Sequence, residues 1–177
     1  MGVDKAFLSL GEELLIERQL RILRETGAGE LLISGRREAD YSGLDVRVVY
    51  DRRPECGPLG GLAALLQAAE FSPVLVVAVD MPNVSVEILQ RLLSHSTEAM
   101  GCVPVTGTGY QPLAAVYPKA ALAIAEDHLA RGQYAVRTFV EAATNSGLLR
   151  PFPIAAMEEE LFFNWNRPSD RKPDGRD

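Results

Sequence analysis

Val74-Leu75-Val76-Val77-Ala78-Val79-Asp80-Met81-Pro82 is the stretch that decides the fold. Six apolar residues, four of them valine, run without a polar interruption and then meet a carboxylate and a turn. An alternating pattern would mark a strand with one wet face. A continuous β-branched run suits a strand covered on both faces, as in sheets flanked by helices. Upstream, residues 57–69 read as a helix with Leu59, Leu62, Leu65, Leu66 and Ala69 on one face. Before it, residues 46–50 and 30–33 read as strands that end at Asp51 and Ser34. Residues 12–26 carry Ile16, Leu20 and Leu23 at helical spacing, with Gly27 as a stop. Downstream, Ser85 can cap a helix through residue 93, with Glu87 in its first turn.

The second half continues the alternation. Residues 102–105 and 113–117 are strand-like, 120–129 and 136–143 helix-like, and 162–166 read as a last short strand. The pattern predicts one α/β domain over residues 1–167, Rossmann-like, with a mostly parallel sheet and helices on both faces. Residues 168–177 read as a polar tail. The whole chain has 177 residues, 47% hydrophobic and 24% charged, ordinary for one globular domain. No internal repeat is visible.

Net charge is −6. An acidic compact domain is a poor non-specific nucleic-acid binder, because phosphate affinity needs clustered cations. No apolar run approaches a membrane span, and no signal peptide is visible. Cys56 and Cys102 lack CxxC or Cys/His ligand spacing and read as reduced thiols of a cytoplasmic protein. His95 and His128 sit in helix-like segments without partner patterns, and no GxSxG or HExxH motif is present. Hydrolysis through a covalent intermediate is therefore not supported.

Ligands of such sheets bind beyond the C-terminal ends of the strands. That rule selects Ser34, Asp51 and Asp80. A lone carboxylate at a strand end suits Mg²⁺, which takes its other ligands from water and substrate phosphates; the same position also suits a turn-forming aspartate. Gly57-Pro58-Leu59-Gly60-Gly61 lies between strand and helix, where backbone can approach an anion at a helix N-terminus. It is neither a Walker loop nor GxGxxG, and it also reads as a tight turn with Pro at a helix start. Lys5 could meet a polyphosphate or form a solvated surface pair. Asn164 and Asn166 would share one side of the last strand, with Trp165 opposite.

Taken in order, Met1-Gly2-Val3-Asp4-Lys5, Gly11 to Leu14 with Glu17-Arg18, Asp51, Gly57 to Gly61, Val79 to Pro82, Gln111 to Tyr117 and Phe163 to Pro168 resemble the molybdenum cofactor guanylyltransferase family. The resemblance spans nearly the whole chain. It implies a nucleotidyltransferase that moves GMP from GTP onto the molybdopterin cofactor, releasing pyrophosphate. It further implies that Asp80 binds Mg²⁺, that Lys5 and Asp51 contact GTP, and that Gly57, Pro58 and Leu59 line the nucleotide. Ser34 stands where the family often has a GTP-contacting asparagine, and Asn164 and Asn166 match a pair near the reacting groups. Transient contact with cofactor-delivery proteins or molybdoenzymes is implied as well.

One departure stands out. The family opens with an apolar strand and a glycine-rich loop ending in Met-Gly, and this sequence begins at that Met-Gly. Without that strand, two neighbouring strands would lose a hydrogen-bond partner and an apolar slot would open. Alternatives are a cytidylyltransferase, another guanylyltransferase acting on a small phosphorylated acid, or a non-catalytic nucleotide-binding protein serving cofactor delivery.

Overall fold

The structure is a computed structural model that describes residues 5–165, with Arg52 and the Pro54 side chain excepted. Met1 to Asp4 and the tail from Asn166 onward lie outside the described residues. The chain enters through a 3-10 turn, Lys5–Phe7, and a small antiparallel hairpin of β1 (Ser9–Leu10) and β2 (Glu13–Leu14). Helix α1 spans Leu15–Glu25. The sequence pattern began this helix at Glu12, but Gly11 takes φ 63° and turns residues 12–14 back against the hairpin. The Glu17 carboxylate then accepts the Leu14 N–H at 3.0 Å and closes the helix start.

Strands β3 (Leu32–Gly35) and β4 (Arg47–Tyr50) pair in parallel as a two-stranded sheet. A 3-10 turn at Pro54–Cys56 leads into α2, Pro58–Ala68. Strand β5, Val74–Val77, is followed by α3, Val86–Ser94, whose start is capped by the Ser85 Oγ accepting the Ile88 N–H. Then come β6 (Gly101–Thr106), β7 (Gly109–Tyr110), β8 (Ala114–Tyr117), α4 (Ala121–Ala130), α5 (Val136–Asn145) and β9 (Leu149–Pro153). A 3-10 helix at Ala156–Phe162 closes the described chain.

The α/β class stands, and helices cover both faces. Helices α2, α4 and α5 pack with Val76, Val103 and Tyr117 on one side. Helix α3 packs with Met81, Val116 and Phe162 on the other, and α1 meets Ile33 and Val48. Full burial of Leu59, Leu62 and Leu66 in α2 contributes roughly 1.5–3 kcal/mol each. Parallel pairing is only part of the sheet. β3–β4 and β6–β9 are parallel, whereas β5–β8, β6–β8 and β6–β7 are antiparallel. The reason is β8, which follows the tight β6–β7 turn and therefore runs back between β5 and β6.

Two expectations are corrected. Residues 162–165 form no strand: Phe162 ends a 3-10 helix and anchors it by burial, and residues 163–165 are irregular. The last strand is instead β9. In the second correction, β5 is not covered on both faces along its length. Leu75 and Val77 remain half-buried, because β5 pairs only with β8 and β3 pairs only with β4 among the described residues. No helix among the described residues is long and apolar enough to cross a membrane.

Candidate active site

Asp80 lies three residues beyond the end of β5 at Val77, where the sequence placed it directly after the strand, and two separate segments hold the turn around it. Gln19 Nε2 of α1 donates to the Met81 carbonyl at 2.7 Å, and Arg18 Nε donates to the Pro82 carbonyl at 2.8 Å. Trp165 N–H donates to the Asp80 carbonyl at 2.8 Å. The turn after the strand is thus fastened by backbone acceptors, and the Asp80 side chain stays half-buried. Lys5 Nζ lies 3.1 Å from Asp80 Oδ2, so a cation and a carboxylate distant in sequence meet at this strand end.

The start of α2 supplies a second half. Gly57 adopts φ 63°, and no side chain caps the helix. Unpaired N–H groups at a helix start carry partial positive charge. Gly60 and Gly61 permit close packing there. A Cβ on Gly60 would lie 2.2 Å from Asp51 Oδ2, and one on Gly61 would lie 2.7 Å from Ser34 Oγ. Asp51 is oriented by accepting the Arg53 N–H at 2.7 Å. Ser34, Asp51, Gly57 and Pro58 all line one cavity of about 730 Å³, together with Arg36 and Val79.

Leu59 departs from its expected role. Its side chain is fully buried against the core on the inner face of α2, so only its backbone faces the helix start. The periodicity that made the helix legible also turns this residue inward. Asn164 is half-buried, one residue before the Trp165 contact to Asp80. Asn166 lies outside the described residues, and the shared strand face foreseen for the two asparagines is absent at Asn164.

Sequence reasoning missed Gln19, whose short bond to Met81 has no motif, and the mouth residues Arg37 and Tyr50, whose guanidinium and ring stand 5.3 Å apart. No group of three or more His, Cys, Asp or Glu side chains with metal-binding geometry occurs among the described residues. One carboxylate beside a cation suits a divalent ion held mainly by nucleotide phosphates and water.

Comparisons with known proteins bear on the family and the fold. The chain matches the MobA-like NTP transferase domain over residues 1–146. It is 38% identical to a probable molybdenum cofactor guanylyltransferase of Opitutus terrae, over 99% of this chain and 89% of that protein. It is 36% identical to a protein of the same description from Pelotomaculum thermopropionicum, over 96% and 83% of the two chains. Its fold superposes on the crystal structure of molybdopterin-guanine dinucleotide biosynthesis protein A from Archaeoglobus fulgidus with a TM-score of 0.72, at 22% identity, covering 96% of this chain and 87% of that one. By that match over residues 1–146, this chain belongs to the family of MobA-like NTP transferases.

Proposed function

We propose that the protein transfers GMP from GTP to the terminal phosphate of molybdopterin, yielding the guanine dinucleotide cofactor and pyrophosphate in the cytoplasm. The observation that carries the reading is the Lys5–Asp80 pair beside the glycine-bounded start of α2. Nucleotidyl transfer asks for positioning and charge neutralisation more than for a protein nucleophile. A phosphate oxygen of the acceptor forms a bond to the α-phosphorus as the bond to the β-phosphate oxygen breaks. Lys5 offsets charge on the departing pyrophosphate. Backbone N–H groups at the start of α2 receive nucleotide oxygens, and Ser34 and Asp51 flank them. Asp80 would hold Mg²⁺, which supplies charge neutralisation when bound. Asn164 and Asn166 orient the reacting groups.

Incubating the protein with GTP, Mg²⁺ and molybdopterin, and measuring pyrophosphate together with the dinucleotide product, tests the proposal. Pyrophosphate that forms equally well without molybdopterin would sink it. The half-covered strand β5 favours one second reading, a nucleotide-binding protein without transfer activity. GTP binding without product is its signature.

A further inference from the structure

Consecutive residues of the 3-10 helix at Ala156–Phe162 reach different parts of the molecule. Glu158 pairs with Arg91 of α3, the Glu159 carboxylate accepts the Gly107 N–H at 2.6 Å, and the Glu160 carbonyl accepts Asn83 Nδ2 at 3.1 Å. Phe162, at the end of the same helix, belongs to the buried cluster of Met81, Val84 and Ile88. The chain then runs through Asn164 to Trp165, whose N–H holds the Asp80 carbonyl. Residues 163–165 have no regular structure of their own, so the place of the short helix sets the place of Asn164.

Among these ties Glu159 differs in kind. The Arg91–Glu158 pair is partly exposed, and such pairs hold little. The Asn83 bond uses a backbone carbonyl. Glu159 instead satisfies a main-chain donor at the tip of the β6–β7 hairpin. Thr106 pairs with Gly109 there, which leaves Gly107 and Thr108 as a two-residue loop. A loop N–H outside the ladder needs an acceptor, and a carboxylate is a strong one. The fit is close: a Cβ on Gly107 would stand 3.3 Å and 3.4 Å from the two Glu159 oxygens.

The hairpin itself is a stiff post. Gln111 Nε2 donates to Thr106 Oγ at 2.8 Å, Gln111 N–H to the Pro104 carbonyl at 2.8 Å, and Thr108 N–H to Thr106 Oγ at 3.3 Å. β8 is antiparallel to both β5 and β6, so those two strands run the same way, and the β6–β7 turn emerges at the edge where Asp80 does. At the foot of the hairpin the Leu113 carbonyl accepts the Ala78 N–H at 2.6 Å. The exit of β5, the hairpin, Glu159, the 3-10 helix and Trp165 thus close a ring of contacts around Asp80. The Asp80 turn is also fastened from α1 by Arg18 and Gln19. Ser34, Asp51 and Gly57 belong to the β3–β4 sheet and the start of α2 and take no part in the ring.

We propose that Glu159 is a positioning residue for transfer. Its carboxylate locks the β6–β7 turn to the 3-10 helix and thereby fixes Asn164, without itself touching nucleotide or acceptor. The inference rests on the reaction proposed above, in which Asn164 orients the reacting groups. Misplacing an orienting group by about 1 Å costs up to about a hundredfold in rate. The cost falls on turnover rather than on GTP binding, because the nucleotide-facing residues lie outside the ring.

Glu159→Ala, Glu159→Gln and Gly107→Ala are compared with the parent in dinucleotide formation from GTP, Mg²⁺ and molybdopterin, in GTP affinity, and in amide exchange at Gly107 and Trp165. Glu159→Ala should lower kcat about tenfold, leave GTP affinity within about twofold, and speed exchange at both amides. Glu159→Gln keeps an acceptor oxygen and should retain most of the parent's kcat. Gly107→Ala, whose methyl presses on the carboxylate, should move the same way as Glu159→Ala. The double variant should be no worse than Glu159→Ala alone, as expected of two residues in one contact. Should Glu159→Ala fail to fold, Gly107→Ala carries the same comparison. A lowered unfolding midpoint with unchanged kcat marks a merely structural glutamate and overturns the proposal. So does faster exchange confined to Gly107, or a loss of GTP affinity as large as the loss of kcat. A parent that forms no dinucleotide overturns the reaction and the positioning role with it. An active parent matched by an equally active Glu159→Ala overturns the positioning role alone.

Discussion

Lys5 Nζ stands 3.1 Å from Asp80 Oδ2, and the contact joins the entrance of the chain to the exit of its most apolar strand. Both side chains keep some solvent exposure, 40% for Lys5 and 22% for Asp80. Exposed pairs of this kind contribute about 0–1 kcal/mol to stability. The significance of the pair therefore lies in where it puts opposite charges rather than in holding the fold.

Asp80→Asn separates those two roles. It should leave the unfolding midpoint within a few degrees of the parent and weaken Mg²⁺-dependent GTP binding tenfold or more, about 1.4 kcal/mol. Calorimetric titration of GTP with and without Mg²⁺ checks this. Equal affinities would remove Asp80 from the metal site.

Gly60→Ala probes the close approach of α2 to Asp51. Alanine in a helix gains up to about 1 kcal/mol over glycine. The new methyl, however, would sit on the Asp51 carboxylate. Moving that carboxylate breaks its bond from the Arg53 N–H, and the Arg53 carbonyl stands 3.1 Å from the new methyl, so the midpoint should fall moderately while GTP affinity falls severalfold. A large drop in midpoint with unchanged affinity would show that Asp51 serves the fold alone.

Base choice is the third expectation. GTP should outcompete CTP and ATP in binding and in transfer, and competition among all four nucleoside triphosphates measures it. Tighter CTP binding would move the reading to the cytidylyl alternative.

The acid side of the stability profile carries a fourth. Arg91 hydrogen-bonds Glu158 and holds that carboxyl below its ordinary 4.5. A group with a depressed folded-state pKa stabilises the protein fully above its unfolded value and loses that contribution as the pH falls through the folded value. Arg91→Ala should thus lower stability near neutrality, and the gap to the parent should close below pH 4.5. Chemical unfolding at a series of pH values follows the gap, and a gap that widens on acidification would contradict the assignment.

Cys102 gives a fifth. Burial pushes its thiol up to about 11, so the thiolate is scarce at pH 8. Alkylation there should be slow in the folded protein and fast in denaturant. Rapid labelling of the native chain at Cys102 would mean that β6 opens readily.

Much of this was readable in the sequence, and the misses have physical causes. The valine run, the Ser85 cap and the leucine face of α2 are local patterns, and each survives in the fold. β9 was missed because Leu149-Arg150-Pro151-Phe152-Pro153 contains two prolines, which argue against a strand interior. An edge position beside β6 tolerates them. The Phe162-Phe163 pair looked like a strand, but one buried ring suffices to seat a 3-10 turn. Ser34, Asp51 and Asp80 were selected by the rule of strand ends, whereas Gln19 could not be, since its partner lies 62 residues away.

Trp165 is the sole tryptophan of the chain, and its backbone N–H is bonded to the Asp80 carbonyl. The indole is only half-buried, so its emission responds to solvent. The protein therefore carries a built-in optical reporter one backbone hydrogen bond away from Asp80. Ligand arrival at Asp80 can be followed by intrinsic fluorescence in stopped flow, without any label.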